Sequence, residues 1–348
     1  MKRIKTAIRT LLALSILAVV ISQLDLPIVL TTLRHASVAP LVMALALFLT
    51  NRFLTAIKWD VLLKHNGISA GRLYLTRLMF VSSFLGIMIP SGLGADVIRL
   101  VQVGRKKQNI TAAASSVIAD RMIALLTLSA LSVLAVLPAW GMIEEKRVLL
   151  IVLLMGAFFA AIILMVMGNA SFRIYTAIHQ IAVKLLNAAG LCKTGRSQEL
   201  CQSAMAKAGE IHASFSAILT TPSLFASVLF MNVLVQLVRV GQIHFIFRAL
   251  GSNVPIIFEI AFVPMIVLLT LLPLSPFMGI GVKEALFLLF FGHVDVTREV
   301  AVSTSLISHI LVLVGLIPGA IMFFAGNRHN NEPEQPSTIQ DQSNQQSP

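Results

Sequence analysis

Seven stretches of this chain are apolar for long enough, alone or with their flanks, to cross a hydrocarbon layer, and that fact restricts its fold more than any other. Their clearest cores are 11–24, 38–49, 123–137, 148–167, 224–237, 256–272 and 301–325. A span needs roughly 20 residues to cross a core about 30 Å thick. The runs are continuous rather than alternating, so each satisfies its backbone hydrogen bonds as a helix and not as a barrel strand. Only 12% of the 348 residues are charged, about half the share of an average soluble domain. The chain reads as an all-α, polytopic integral membrane protein.

The formal net charge of +12 does not point to nucleic acid, because the basic residues gather at the ends of apolar runs and form no nucleic-acid motif. Cys192 and Cys201 match no zinc spacing and read as reduced, small apolar residues. The basic start (Lys2, Arg3, Lys5, Arg9) before an apolar run resembles a signal sequence. Residues 25–27, Asp-Leu-Pro, offer no cleavage site, so the run reads as an uncleaved first span. Residues 327–348 are Asn-, Gln-, Ser- and Pro-rich and read as a disordered tail.

Orientation follows from the basic residues near helix ends, which stay on the cytoplasmic side. This places the N-terminus inside and returns the second span to the basic stretch at Lys58, Lys64, Arg72 and Arg77. The next apolar segment, 78–89, is short and ends in Pro-Ser-Gly-Leu-Gly at 90–94. A full crossing there would put Arg99, Arg105, Lys106 and Lys107 outside. A re-entrant hairpin over about 78–103 keeps them inside, its irregular turn buried in protein or lining a wet cavity. A second segment of the same layout, about 256–291, has its break at Pro273, Pro276, Gly279 and Gly281 and its acidic residue at Glu284.

The halves match in order: span, span, hairpin, span. Ser115-Ser-Val-Ile opens the span after the first hairpin, and Thr304-Ser-Leu-Ile the one after the second; Arg52 precedes Pro90 by 38 positions and Arg239 precedes Pro276 by 37. The expected architecture is about six full transmembrane helices plus two re-entrant hairpins in an inverted repeat, the arrangement that places a transporter's site near the bilayer midplane. A plain bundle of eight spans is the alternative. The first repeat covers 1–137. The second covers 138–326, with interfacial cytoplasmic helices over about 169–221, and both termini fall in the cytoplasm.

Charges inside spans are costly, about 2.5–3.5 kcal/mol each at the centre, so they need partners or water. Asp96 and Arg99 share one face at the start of a short helix after Gly92 and Gly94, where free N–H groups favour an anion. Arg99 can add a bidentate grip on phosphate; equally, Asp96 can cap the helix and pair with Arg99. Asp120 and Arg121 lie deep in the next span, as an ion pair or as ligand contacts. Gly279, Gly281, Lys283 and Glu284 mirror the first hairpin. His309 reads as a hydrogen-bonded buried histidine, and Glu259 as an interfacial residue. Arg52, Lys58 and Trp59 read as an interfacial anchor, with Arg52 a weaker candidate for the cavity. No Walker loop, His-x-x-x-His pair or Gly-x-Ser-x-Gly elbow is present. The chain therefore reads as a non-enzyme without a cofactor.

Three motifs in order, PSGLGADVIR at 90–99, SSVIADR at 115–121 and GIGVKE at 279–284, resemble the signatures of the lysylphosphatidylglycerol synthase transmembrane-domain family, also described as flippase-like. The resemblance covers roughly 5–325. It implies a bacterial inner-membrane protein that translocates an aminoacylated, glycosylated or polyprenyl-phosphate lipid. The alternative it carries is a non-catalytic accessory of a glycosyltransferase or phospholipid synthase, docked through 169–221. It also implies that Asp96, Arg99, Arg121 and Glu284 fall on the family's characteristic polar positions. Ala95, Lys283 and His309 depart from residues common there, namely glycine, arginine and arginine. The soluble aminoacyl-transferase domain of the full-length synthases is absent from this sequence, so the resemblance does not extend to synthase activity.

Overall fold

The computed structural model describes residues 36–87, 94–136, 216–271, 281–292, 294 and 296–329, with parts of 150–161 and 206–214. Among these residues every regular element is a helix. The principal ones are α1 (Val38–His65), α2 (Arg72–Gly86), α3 (Gly94–Lys106), α4 (Ile110–Val136), α5 (Pro222–Ala249), α6 (Ile256–Thr270), α7 (Val282–Phe291), α8 (Arg298–Gly315) and α9 (Ile317–His329). The first expected span, most of the interfacial stretch 169–221, the tail, Gly92 and Gly279 lie outside the described residues.

Four helical stretches are long and apolar enough to cross a membrane: Val38–His65, Ile110–Ala135, Pro222–Ala249 and Arg298–Ala325, the last formed by α8 running into α9. This is a multi-pass membrane protein. The short helices fall where the sequence places its two breaks. α2 and α6 have 15 residues each, α3 has 13 and α7 has 10. At 1.5 Å per residue none exceeds about 23 Å, less than the hydrocarbon thickness.

The burial pattern is that of a protein dissolved in lipid. Val38, Val42, Phe230 and Ile321 are exposed on the outside, whereas Asn51, Lys58, Ser115, Ser116, Asp120, Asn232, Gln236, Thr304 and Ser305 are buried. Lipid tails are as apolar as a leucine core, so helices associate through close packing and interhelical hydrogen bonds instead. α4 shows both features, turning Ala112, Ala113, Ser115, Ser116 and Ala119 inward.

α1 and α5, 28 residues each, run antiparallel along one another. The Ser37 N–H donates to the Ala249 carbonyl (2.9 Å) at one end. In the middle Asn51 Nδ2 donates to the Val235 carbonyl (2.8 Å). Two apolar clusters flank this pair. One gathers Trp59, Leu62, Leu63, Leu75, Met79 and Ile123. The other is aromatic, built on Phe247, Phe262, Phe287, Phe290 and Phe291, with Phe247 and Phe291 rings 4.9 Å apart. Between the clusters lies a polar layer.

Candidate functional site

Polar residues recur on α1 at Asn51, Thr55 and Lys58, and on α5 at Asn232, Gln236 and Arg239. Both sets follow the i, i+4, i+7 spacing that puts them on one helix face. Because the helices are antiparallel and in contact, the two stripes face a shared space. The result is a cavity of about 320 Å³ walled by α1, α2, α3, α4 and α5, with Val267, Leu271, Val312 and Leu316 closing its apolar side. Its volume falls within the range of about 300–1,000 Å³ common for ligand sites.

The charged wall is a connected network. Asp120 sits at its centre: Lys58 Nζ lies 2.8 Å from Oδ1 and Arg99 Nη2 lies 3.0 Å from Oδ2. Arg99 also reaches Asp96 at 3.1 Å, and Asp96 in turn accepts from Arg121. Lys58 is completed by Asn232 Oδ1 at 2.8 Å. The Arg99 guanidinium stacks over the Trp59 ring, 4.8 Å from its centroid, and the indole N–H donates to Ser116 Oγ at 3.0 Å. Lys58, Arg99 and Asp120 are all less than 5% exposed. Breaking such a buried network by removing one member costs about 3–5 kcal/mol.

Four residues marked out in the sequence, Asp96, Arg99, Asp120 and Arg121, are thus brought into one cluster, and Gly94 lines the same cavity. Lys58 and Trp59, expected to anchor at the membrane interface, are instead 3% and 0% exposed; the ion pair and the stacked ring hold them in the interior. Glu259, in the first turn of α6, is fully buried and paired with His244 Nδ1 at 3.1 Å.

Lys283 and Glu284 form a second, separate cluster on α7. Glu284 accepts from the Gly281 N–H at 2.5 Å and from Ser305 Oγ at 3.2 Å, and lies 3.3 Å from His309 Nε2. Gly281 can turn the chain here because its φ is +85°, where a side chain would be strained. Lys283 donates to Ser308. A further cavity of about 200 Å³ opens beside this cluster, lined by Lys283, Ser308 and His309.

Arg52 and Arg239 line both cavities. Arg52 donates to Ser83 Oγ at 3.3 Å and lies over the Phe48 ring, 4.8 Å from its centroid. Arg239 donates to Gln236 Oε1 at 3.0 Å. The signal for Lys58, Asn232 and Gln236 was available in the sequence as the repeated polar stripe, on which Arg239, a charge within a span, also falls. Reading Lys58 singly as an interfacial anchor obscures it. Among the described residues no cluster of His, Cys, Asp and Glu has the arrangement of a metal site.

Residues 6–319 match the family described as the lysylphosphatidylglycerol synthase TM region. The chain belongs to this family. The match takes in every element around both cavities, so the charged network and the Glu284 cluster lie within the family's shared region. No curated protein and no solved structure matches the chain.

Proposed function

We propose that this protein is a non-enzymatic, flippase-like translocator of a lipid-linked substrate in a bacterial inner membrane, with both termini cytoplasmic. The observation that carries this reading is the charged cavity set in the middle of apolar, membrane-length helices. Intramembrane ionisable residues are expensive, and a wet cavity that admits a headgroup is a physical reason to keep them.

The arrangement of the halves supports an inverted repeat of two re-entrant hairpins. α1 and α5 are equal in length and antiparallel, as equivalent helices related by an axis in the membrane plane would be. Asp96 and Glu284 are each the third residue of a short helix, one beginning at Gly94 and the other capped by Gly281. Each reaches a polar residue of the following span, Asp96 to Arg121 and Glu284 to His309. Ser115-Ser-Val-Ile-Ala-Asp120 and Thr304-Ser-Leu-Ile-Ser-His309 then align without a gap. In this reading Gly92, Gly94, Gly279 and Gly281 let backbone approach the headgroup. Asp96, Arg99, Asp120 and Arg121 form one side of the site, and Lys283 and Glu284 the other.

The test is lipid movement in proteoliposomes containing the purified full-length protein alone, with labelled lipids scored by quenching of the outer leaflet. Accelerated leaflet exchange, lost in Asp96→Asn, is the expected result. Exchange that requires an added glycosyltransferase or synthase would replace this reading with an accessory role. A change in lipid mass would replace it with an enzyme.

A further inference from the structure

The charges around the two cavities do not balance. The larger is lined by five cations, Arg52, Lys58, Arg99, Arg121 and Arg239, and two carboxylates, Asp96 and Asp120. The smaller adds Lys283, with Glu284 next to it, so among the described residues a surplus of three positive charges remains.

The surplus is also localised. Lys58, Arg99 and Arg121 are already engaged by the two carboxylates. Arg52 and Arg239 contact only neutral groups among the partners described: a serine hydroxyl, a phenyl face and a glutamine amide. Arg52 Nε is buried without a hydrogen-bond partner. On the antiparallel pair the two arginines stand roughly a turn apart along the axis; Arg239 lies within Coulombic reach of Arg52 and Arg121, and Arg52 of Arg99 and of Asp96, a carboxylate already engaged by Arg99 and Arg121. Like charges brought together at a half-buried cavity wall favour a counter-charge, and a guanidinium fork fits phosphate oxygens.

We infer that the ligand of this site is a phosphate-bearing polyanion, a phosphomonoester or diphosphate headgroup, gripped by Arg52 and Arg239 where the two cavities adjoin. This deepens the lipid-translocator reading and, for the lipid form of the ligand, rests on it. A lysyl-esterified phosphatidylglycerol has a net positive headgroup and is the wrong charge for this wall. The same surplus that attracts a diphosphate repels it, so the discrimination is built from repulsion as well as attraction. Residues Arg52 and Arg239 sit on the two equivalent long helices, so each half of the bundle contributes one arm of the grip.

The experiment uses full-length protein in nanodiscs of phosphatidylcholine, with thermal unfolding followed as one added component is titrated. The components are a polyprenyl diphosphate, phosphatidic acid, phosphatidylglycerol, lysylphosphatidylglycerol and, in the aqueous phase, inorganic diphosphate. The expected result is stabilisation that follows headgroup negative charge. The diphosphate lipid should half-saturate at a concentration at least tenfold lower than lysylphosphatidylglycerol does. Arg52→Gln and Arg239→Gln should each weaken the diphosphate lipid at least tenfold, and Arg298→Gln, on the exposed start of α8, should not. The order of the lipids on the unaltered protein is itself a test, so the inference remains falsifiable if a variant fails to fold.

Equal or tighter binding of lysylphosphatidylglycerol would overturn the inference and leave the lipid site standing. Inorganic diphosphate binding as tightly as its lipid form would uphold the anion site and remove the lipid reading. No selective binding of any component would overturn both.

Discussion

Lys58 Nζ lies 2.8 Å from one oxygen of Asp120, and Arg99 lies 3.0 Å from the other. A single carboxylate thus ties α1, α3 and α4 together at the wall of the larger cavity.

Asp120→Asn should therefore be the most damaging single change in this network. It leaves two buried cations facing a neutral amide, and a loss of about 3–5 kcal/mol is expected. Lys58→Met should cost less, because Arg99 still neutralises Asp120. The two changes should be non-additive by roughly 1–3 kcal/mol in a double-mutant cycle of unfolding in detergent. Simple additivity would mean the pair does not act as a unit.

Trp59 makes two separable contacts, the hydrogen bond to Ser116 and the ring under Arg99. Trp59→Phe removes the first and keeps an aromatic face, for an expected cost of about 1 kcal/mol. Trp59→Ala removes both and empties a buried site, for about 3–5 kcal/mol. Thermal unfolding of the two variants should show that gap. Equal losses would argue that the stacking on Arg99 contributes nothing.

The approach of α2 to α3 depends on Gly86, where an added Cβ would stand 2.6 Å from the Ala95 nitrogen. Gly86→Ala should push the two short helices apart and cost about 1–3 kcal/mol. Gly241 gives the contrast: its Cβ would meet only Leu47 at 3.4 Å. Gly241→Ala should be neutral or stabilising by up to about 1 kcal/mol, as expected for a mid-helix glycine with room. A similar response from both would show that the helix crossing at Gly86 is looser than described.

Glu284 closes the first turn of α7 by accepting from the Gly281 N–H and also faces His309. Glu284→Gln retains an acceptor for the cap, so a loss of about 1 kcal/mol is expected. Glu284→Ala gives up the cap and leaves His309 without its carboxylate, for about 2–3 kcal/mol. Unfolding curves for the two side by side separate the capping role from the charge. Indistinguishable curves would mean the cap is irrelevant.

Much of this protein was legible along the chain because its constraints are local. Spanning length and the rarity of charges such as Asp96, Arg99, Asp120 and Arg121 within apolar stretches are properties of short segments, since a bilayer tests each helix for length and charge one at a time. The match of 6–319 to the family confirms the resemblance carried by the three motifs. Lys58 shows the limit of such reading. By position alone a lysine beside a tryptophan looks like an interfacial anchor; only the antiparallel packing of α1 on α5 turns it toward Asn232 and Asp120. The same packing decided that Arg52 and Arg239, 187 positions apart, line the same two cavities. Sequence fixes which residues cannot face lipid, because desolvating a charge is costly wherever it stands. Which partner relieves that cost depends on distances of about 3 Å between different helices, and those are set only when the bundle closes.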